Sequence, residues 1–543
     1  MAASARFDPV TLEVLWTRLI STTDEAAAAL VRTSFSTVVR ESNDFACVLT
    51  DARGYSLVQA TDSIPSFIGT VPRTIREFLR EYPAQTLAPG DILATNDIWL
   101  GTGHLPDITV AKPIFRDGVL VGFAGSVAHA PDIGGRIRSA DSREVYEEGL
   151  QIPPLKVVHA GVPDETFLRL LRKNVRVPDQ VVGDLFAQFS ALDLMERRVL
   201  ALMRSHELDD LAPLAEEIQW RSEQAMRKAI REVPDGVYRH ETITDGFEQP
   251  IRLRLALTVQ GDAIDIDYAG TDAQVGRAIN VAMCYTYAYT AYGVKAVLCP
   301  GVPNNEGALR PITVRAPLGC ILNSRPPAAG GARAVVGHFL PMMVLLALSR
   351  ALPERVVAGV GSPLWCLNYA GVDAEGKSIA GMFFANGGYG ASARRDGCNV
   401  LSWPSNISST PVEMIEQLAP FKLHHRRLRT GTGGNGRHRG GLGQEILLES
   451  RAPGPLVVSF LAERTRDEAA APGIAGGEPG APGAVLIDGA PVDPKRQHVI
   501  QPGARIELRT PGGGGYGPAV QRAPEAREAD LLDGYTTRSE TPV

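Results

Sequence analysis

Cysteine is scarce and scattered: Cys47, Cys284, Cys299, Cys320, Cys366 and Cys398 form no Cys-x-x-Cys pair. A zinc ribbon, an iron–sulfur cluster and a dense disulfide framework find no support, and the thiols read as buried, free groups in a reducing cytoplasm. Long apolar runs are also missing. The longest, residues 339–348, is interrupted by Pro341 and falls far short of the ~20 residues a bilayer span needs. Residues 1–9 show neither the apolar core nor the cleavage pattern of a secretory signal. Together these expectations place the chain in the cytoplasm, with no membrane partner. Charge of one sign is absent too: 55 basic residues stand against 61 acidic ones, a net charge of -6. That balance argues against disorder and gives no electrostatic reason to bind nucleic acid. No Gly-x-Ser-x-Gly elbow and no internal repeat are found. The run Thr510–Gly517 lacks the Gly-Lys-Ser/Thr ending of a nucleotide loop.

What is present is a chain of 543 residues, enough for two to four domains at roughly 150 residues each, with 55 glycines. Asp8 and Pro9 open a helix on which Leu12, Leu15, Leu19, Ala26 and Leu30 recur at helical spacing. Phe45–Thr50 reads as a strand, residues 71–82 as a helix, and residues 91–94, 108–111 and 119–128 as strands. Helical patterns cover residues 184–203 and 211–233. Beyond Pro234-Asp235-Gly236, Leu253, Leu255, Leu257 and Val259 alternate with polar residues, turn at Gly261-Asp262 and continue in Ile264 and Ile266 as a hairpin. Further helical patterns cover 275–298 and 334–352, and the last third is glycine-rich and strand-like. The expectation is a mixed α/β (α+β) multi-layer fold with a metal-bearing N-terminal region and a β-rich C-terminal part. Its divisions fall at 1–180, 181–235 (helical), 236–400, 401–520 and a frayed polar tail, 521–543.

Histidine is the telling residue, with only 10 in the chain. Two of them sit in matching His-x-x-Asp loops, His104-Leu105-Pro106-Asp107 and His129-Ala130-Pro131-Asp132. Imidazole with carboxylate suits a divalent transition metal such as zinc, manganese or iron, and without a nearby thiolate an open, catalytic site fits better than a structural one. The alternative is that each histidine satisfies a buried carbonyl or caps a turn. Asp44 and Glu41 at the entrance to the first strand, and Glu147 and Glu148 beyond the second loop, are candidates for a further ligand or a general base. Glu147 reads as surface charge, and the adjacent His424-His425 as a solvated or interfacial face. Cys47 reads as packing, and the glycine-rich runs as tight structural turns.

The motifs Asp8-Pro9-Val10-Thr11-Leu12-Glu13, Arg40-Glu41-Ser42-Asn43-Asp44-Phe45, Gly103-His104-Leu105-Pro106-Asp107, Glu148-Gly149-Leu150-Gln151 and Pro511–Gly517 occur in order along nearly the whole chain. In these the sequence resembles the hydantoinase B/oxoprolinase family, departing from its commoner pattern at Ile98-Trp99-Leu100 and Ala130-Pro131. The resemblance implies one subunit of an ATP-dependent hydrolase of cyclic amides such as hydantoins, 5-oxoproline and lactams. It implies a separate hydantoinase A-like ATPase partner, in a hetero-oligomer of α2β2 type, that uses ATP to phosphorylate the substrate. Metal-bound water then attacks the activated carbon. The ligands implied are Asp44, His104, Asp107 and His129, with Asp132 and Glu148 as catalytic candidates. Two alternatives stand beside this: the equivalent subunit of a ketone carboxylase, and a non-catalytic assembly subunit whose metal is structural.

Overall fold

A computed structural model describes residues 7–537. Residues 1–6, part of the stretch read for a secretory signal, and residues 538–543 of the expected tail lie outside the described residues. The first helix, Pro9–Thr33, begins where its signals put it: the Asp8 carboxylate accepts from the Val10 and Thr11 amides, both at 3.1 Å. Strands β1 (Phe45–Asp51), β2 (Ser56–Gln59), β3 (Ile92–Thr95), β4 (Asp107–Arg116), β5 (Val119–His129), β6 (Leu155–His159) and β7 (Val162–Pro163) form one antiparallel sheet, ordered β2-β1-β5-β4-β3-β6-β7. Both faces of this sheet are covered, which is why β1 reads as an unbroken apolar run. Cys47 and Leu49 pack in the core of the helices Pro9–Thr33 and Pro178–Ser205, whereas Ala46 and Val48 join that of the helix Thr70–Glu81.

The helix Pro178–Ser205 starts ahead of the expected residue 184, because Pro178 occupies its first turn with φ already set for a helix. The helix expected from residue 275 starts only at Met283. Asn280 holds the preceding segment in a loop, bonding the Val275 amide and carbonyl at 2.8 Å each and the Arg277 carbonyl at 2.7 Å. The expected hairpin is β9 and β10 of a second sheet, β8 (Gly236–Thr244), β9 (Ile251–Gln260), β10 (Ala263–Asp267) and β11 (Ile312–Arg315), in which only β10 and β11 run parallel. The alternating leucines of β9 are buried, in one core with the wholly buried helix Phe339–Leu348.

Two sheets interleave along the rest of the chain. β12 (Trp365–Val372), β13 (Ser378–Ala385), β16 (Leu456–Leu461) and β19 (Gln497–Ile500) make one. β14 (Phe421–Leu428), β15 (Gln444–Ser450), β17 (Ala484–Ile487), β18 (Ala490–Pro491) and β20 (Arg505–Arg509) make the other. The chain is thus the expected mixed α/β fold with a β-rich C-terminal part.

Between these sheets the glycine-rich segments lie against one another outside any regular strand, joined backbone to backbone. Gly361 donates to Gly388 (2.8 Å), Gly388 to Pro511 (2.9 Å), Gly513 to Gly441 (2.9 Å) and Gly441 to Tyr389 (2.8 Å). A Cβ on Gly512 would stand 1.7 Å from the Thr432 carbonyl oxygen, so the approach admits no side chain. The frayed tail expected after residue 520 is instead ordered through residue 537. The helix Pro524–Leu532 buries Asp530 between Arg439 (3.3 Å) and Arg522 (2.7 Å). The cysteines are free, as expected, but Cys398 is exposed rather than buried and Cys299 only half-buried.

Candidate metal centre and adjoining cleft

Antiparallel pairing assembles the centre. β5 lies between β1 and β4, so its end meets both of their beginnings: Phe45 pairs with Ala128 and Asp107 with His129. The His129 amide donates to the Asp44 carbonyl at 3.0 Å, which puts Asp44 beside the same end. His104 comes from the loop before β4. Asn96 pins that loop by donating to the Leu105 carbonyl (2.8 Å) and the Leu150 carbonyl (2.9 Å). Gly103 passes under Arg333 at φ 93°, and a Cβ there would stand 2.9 Å from the arginine's Cδ.

His104, Asp107 and His129 are 2%, 2% and 1% exposed, and their ligand atoms lie within 4.8 Å of one another. His104 Nε2 is 2.7 Å and His129 Nδ1 2.8 Å from the same oxygen, Asp107 Oδ1. The His104 contact lacks hydrogen-bond geometry, and the buried Nε2 atoms of both histidines have no hydrogen-bond partner. His104 Nδ1 faces the Gly331 carbonyl at 3.4 Å. That oxygen only accepts, so Nδ1 carries the proton and Nε2 a lone pair, set close to a carboxylate oxygen. Two electron-rich atoms at that separation repel, and a cation between them removes the repulsion. Asp44 stands at the flank, its Oδ2 3.8 Å from His129 Nδ1.

Electrostatics keep the His104 imidazole neutral and Asp107 charged. Burial, with Arg333 nearby, holds His104 well below the ordinary histidine range. Burial pushes Asp107 up, but His104 and Arg333 outweigh it and hold the carboxyl well below the usual range. Arg333 Nη2 donates to Asp107 Oδ2 at 2.8 Å, its Nε to the Thr102 carbonyl at 2.7 Å, and its guanidinium lies 4.2 Å over the Tyr285 ring. Burial raises Asp44.

A cleft opens beside the cluster, walled by Pro106 and Ala130 next to the two ligand strands and by Asp132, Arg138, Glu148 and Gly331. Glu148 accepts from the Gly331 amide (2.6 Å) and the Gly330 amide (3.1 Å), and burial pushes its carboxyl up to about 7. Asp132 is engaged by Arg176, through the backbone amide and through Nη1 at 2.6 Å. No hydrogen bond joins Asp132 to either imidazole among the described residues. Glu147 pairs with Arg136 at 3.0 Å on the rim. His424 and His425 pair across strands with Glu449 (2.8 Å) and Glu445 (2.9 Å), far from the cluster in sequence and sheet. Burial lifts the Cys47 thiol to about 12, which leaves it inert.

Sequence reasoning missed Arg333, Arg138 and the Gly330-Gly331 turn. One signal was there to find: a double glycine closely followed by arginine occurs at Gly134-Gly135-Arg136-Ile137-Arg138 and again at Gly330-Gly331-Ala332-Arg333.

The hydantoinase B/oxoprolinase family matches residues 8–519. A D-/L-hydantoinase subunit from Pseudomonas sp. (strain NS671) is 31% identical, over 99% of this chain and 95% of its own. The solved ATP-dependent caprolactamase from Pseudomonas jessenii superposes with a TM-score of 0.89 at 27% identity, over 98% of this chain and 95% of that one. A nucleotide-free acetone carboxylase shares the fold, with a TM-score of 0.87 at 19% identity over 98% and 78%.

Proposed function

From a chain that belongs to the hydantoinase B/oxoprolinase family, we propose the metal-bearing subunit of an ATP-dependent hydrolase that opens cyclic amides of the hydantoin, 5-oxoproline or lactam kind. The observation that carries this reading is the buried convergence of His104, Asp107 and His129 around a site where two imidazole nitrogens lack partners. These three, with Asp44 at the flank, fit a divalent transition metal: nitrogen and carboxylate donors, no thiolate, and an adjoining cleft. When bound there, such a cation supplies Lewis-acid polarisation and brings the pKa of water down towards about 7.

The chain's own groups do the rest. Arg333 keeps Asp107 ionised and fixed, and the Gly331 carbonyl sets the tautomer of His104. Glu148, lifted to about 7, holds a proton near neutrality and sits on the cleft wall, placed to exchange it with a reacting group. An unstrained amide is a poor electrophile, which is why hydrolysis is coupled to ATP. Among the described residues no phosphate-binding loop is seen, and the relatives named as subunits support a separate ATPase partner. Asp132 holds Arg176 and so shapes the cleft rim.

The test uses the chain purified with its ATPase partner. Given ATP and hydantoin, 5-oxoproline or caprolactam, the complex is expected to open a ring without bicarbonate, and elemental analysis to find one divalent transition metal per chain. Turnover strictly dependent on bicarbonate and a ketone would overturn the hydrolase reading in favour of a carboxylase.

A further inference from the structure

We propose that the cleft beside the His104/Asp107/His129 cluster contains an oxyanion-binding subsite whose cation is Arg138, so that the substrate is anchored by a carboxylate or phosphoryl group. This deepens the hydrolase reading and rests on it for the identity of the substrate, but not for the binding itself. Arg138 Nε donates to the Gly331 carbonyl at 3.0 Å. Its Nη1 meets only sulfur, Cys366 Sγ at 4.0 Å and Met382 Sδ at 3.9 Å. Among the described residues no carboxylate comes within 4.0 Å of the guanidinium. The neighbouring arginines differ: Arg333 has Asp107, Arg176 has Asp132 and Arg136 has Glu147. The acids on the cleft wall are therefore already engaged, Asp132 by Arg176 and Glu148 by two amides.

The backbone that carries Arg138 is clamped from the far side of the fold. Ser459 of β16 donates its hydroxyl to the Arg138 carbonyl, and Gln497 of β19 donates its side-chain amide to the Ile137 carbonyl (3.3 Å) and Ser139 Oγ (3.2 Å). The Gln497 backbone amide adds a bond to Asp141 Oδ2 at 3.0 Å. A fixed, half-buried cation without a counter-ion carries a desolvation cost that an incoming oxyanion offsets, and the guanidinium fork matches the oxygens of both groups. Ser139, Ser142 and Asn368 line the same cleft and offer neutral hydrogen bonds. Because Pro106 and Ala130 wall it next to Asp107 and His129, a molecule held at Arg138 reaches the cluster with its other end.

The experiment titrates the EDTA-treated full-length chain calorimetrically with inorganic phosphate and, separately, with acetate at constant ionic strength. Wild type, Arg138→Gln, Arg138→Lys and the surface control Arg172→Gln are compared after circular dichroism confirms folding. One of the two anions is expected to bind one-to-one. Arg138→Gln should weaken it about 10–100-fold, Arg138→Lys less, and Arg172→Gln not at all. The anion that binds identifies the group. No binding to wild type, or equal binding to Arg138→Gln, would overturn the proposal. Loss of the hydrolase reading is separable: Arg138-dependent binding in a chain that holds no metal and opens no ring leaves the subsite standing. Ring opening with an unchanged KM in Arg138→Gln removes the subsite alone.

Discussion

Glu148 and Glu463 are both buried carboxyls that burial lifts to about 7, yet their surroundings are completed in opposite ways. Glu463 lies in a cluster that carries its own cation. Lys495 Nζ is 3.0 Å from Glu463 and 3.8 Å from Asp245, and the Asp245 amide donates to Glu463 at 2.9 Å. Thr465 closes on Asp245 through its amide and hydroxyl, each at 2.8 Å. This cluster ties the loop after β8 to the segments that follow β16 and precede β19. Glu148 instead faces a cleft, and the neighbouring cluster leaves two imidazole nitrogens without partners. Buried polar groups are costly without partners, so a fold that leaves some unpaired in one place and pairs them in another separates a receptor from a scaffold.

Removing a histidine separates the two most sharply. His104→Ala should abolish stoichiometric metal, seen by elemental analysis after dialysis, and cost the complex more activity than the about 10–100-fold typical of outer partners of a metal. Its thermal melt should stay close to that of the EDTA-treated wild type. If turnover survives the loss of metal, the metal is structural and the comparison fails. Lys495→Met should do the reverse, keeping the metal but destabilising the fold at pH 8 by about 3–5 kcal/mol, read from urea unfolding, because two buried carboxyls lose their cation. The smallest effect is a slope. Glu463 has a folded pKa of about 7 against an ordinary value of 4.5, so the native state binds the extra proton. Its contribution is full below about pH 4.5 and is lost as pH rises through about 7. Glu463→Gln should flatten stability across that window, and an unchanged profile would contradict the assignment.

Much of the fold was legible because local signals agreed with tertiary ones: the Asp8–Pro9 cap, the alternation of β9, and the run of β1 that only a doubly covered sheet allows. The two His-x-x-Asp loops were legible as a pair, but not their unequal fates. Asp107 starts a strand and turns into the cluster, while Asp132 follows the end of β5 and meets Arg176 instead. Arg333 was invisible because nothing near it in sequence shares its site. The glycine-rich segments read as turns because their hydrogen bonds run to distant segments, and no periodicity of side chains records such a partner.

The link from Arg333 to Asp107 spans 226 residues of chain. At roughly 5–20 residues per second of synthesis, the ribosome makes both histidines and Asp107 some ten to forty-five seconds before the arginine that neutralises the carboxylate. For that interval the nascent protein carries a half-built chelator. The finished coordination pocket is therefore a late event in the life of each molecule, and any chain terminated before Arg333 would hold its cation with an unsupported aspartate.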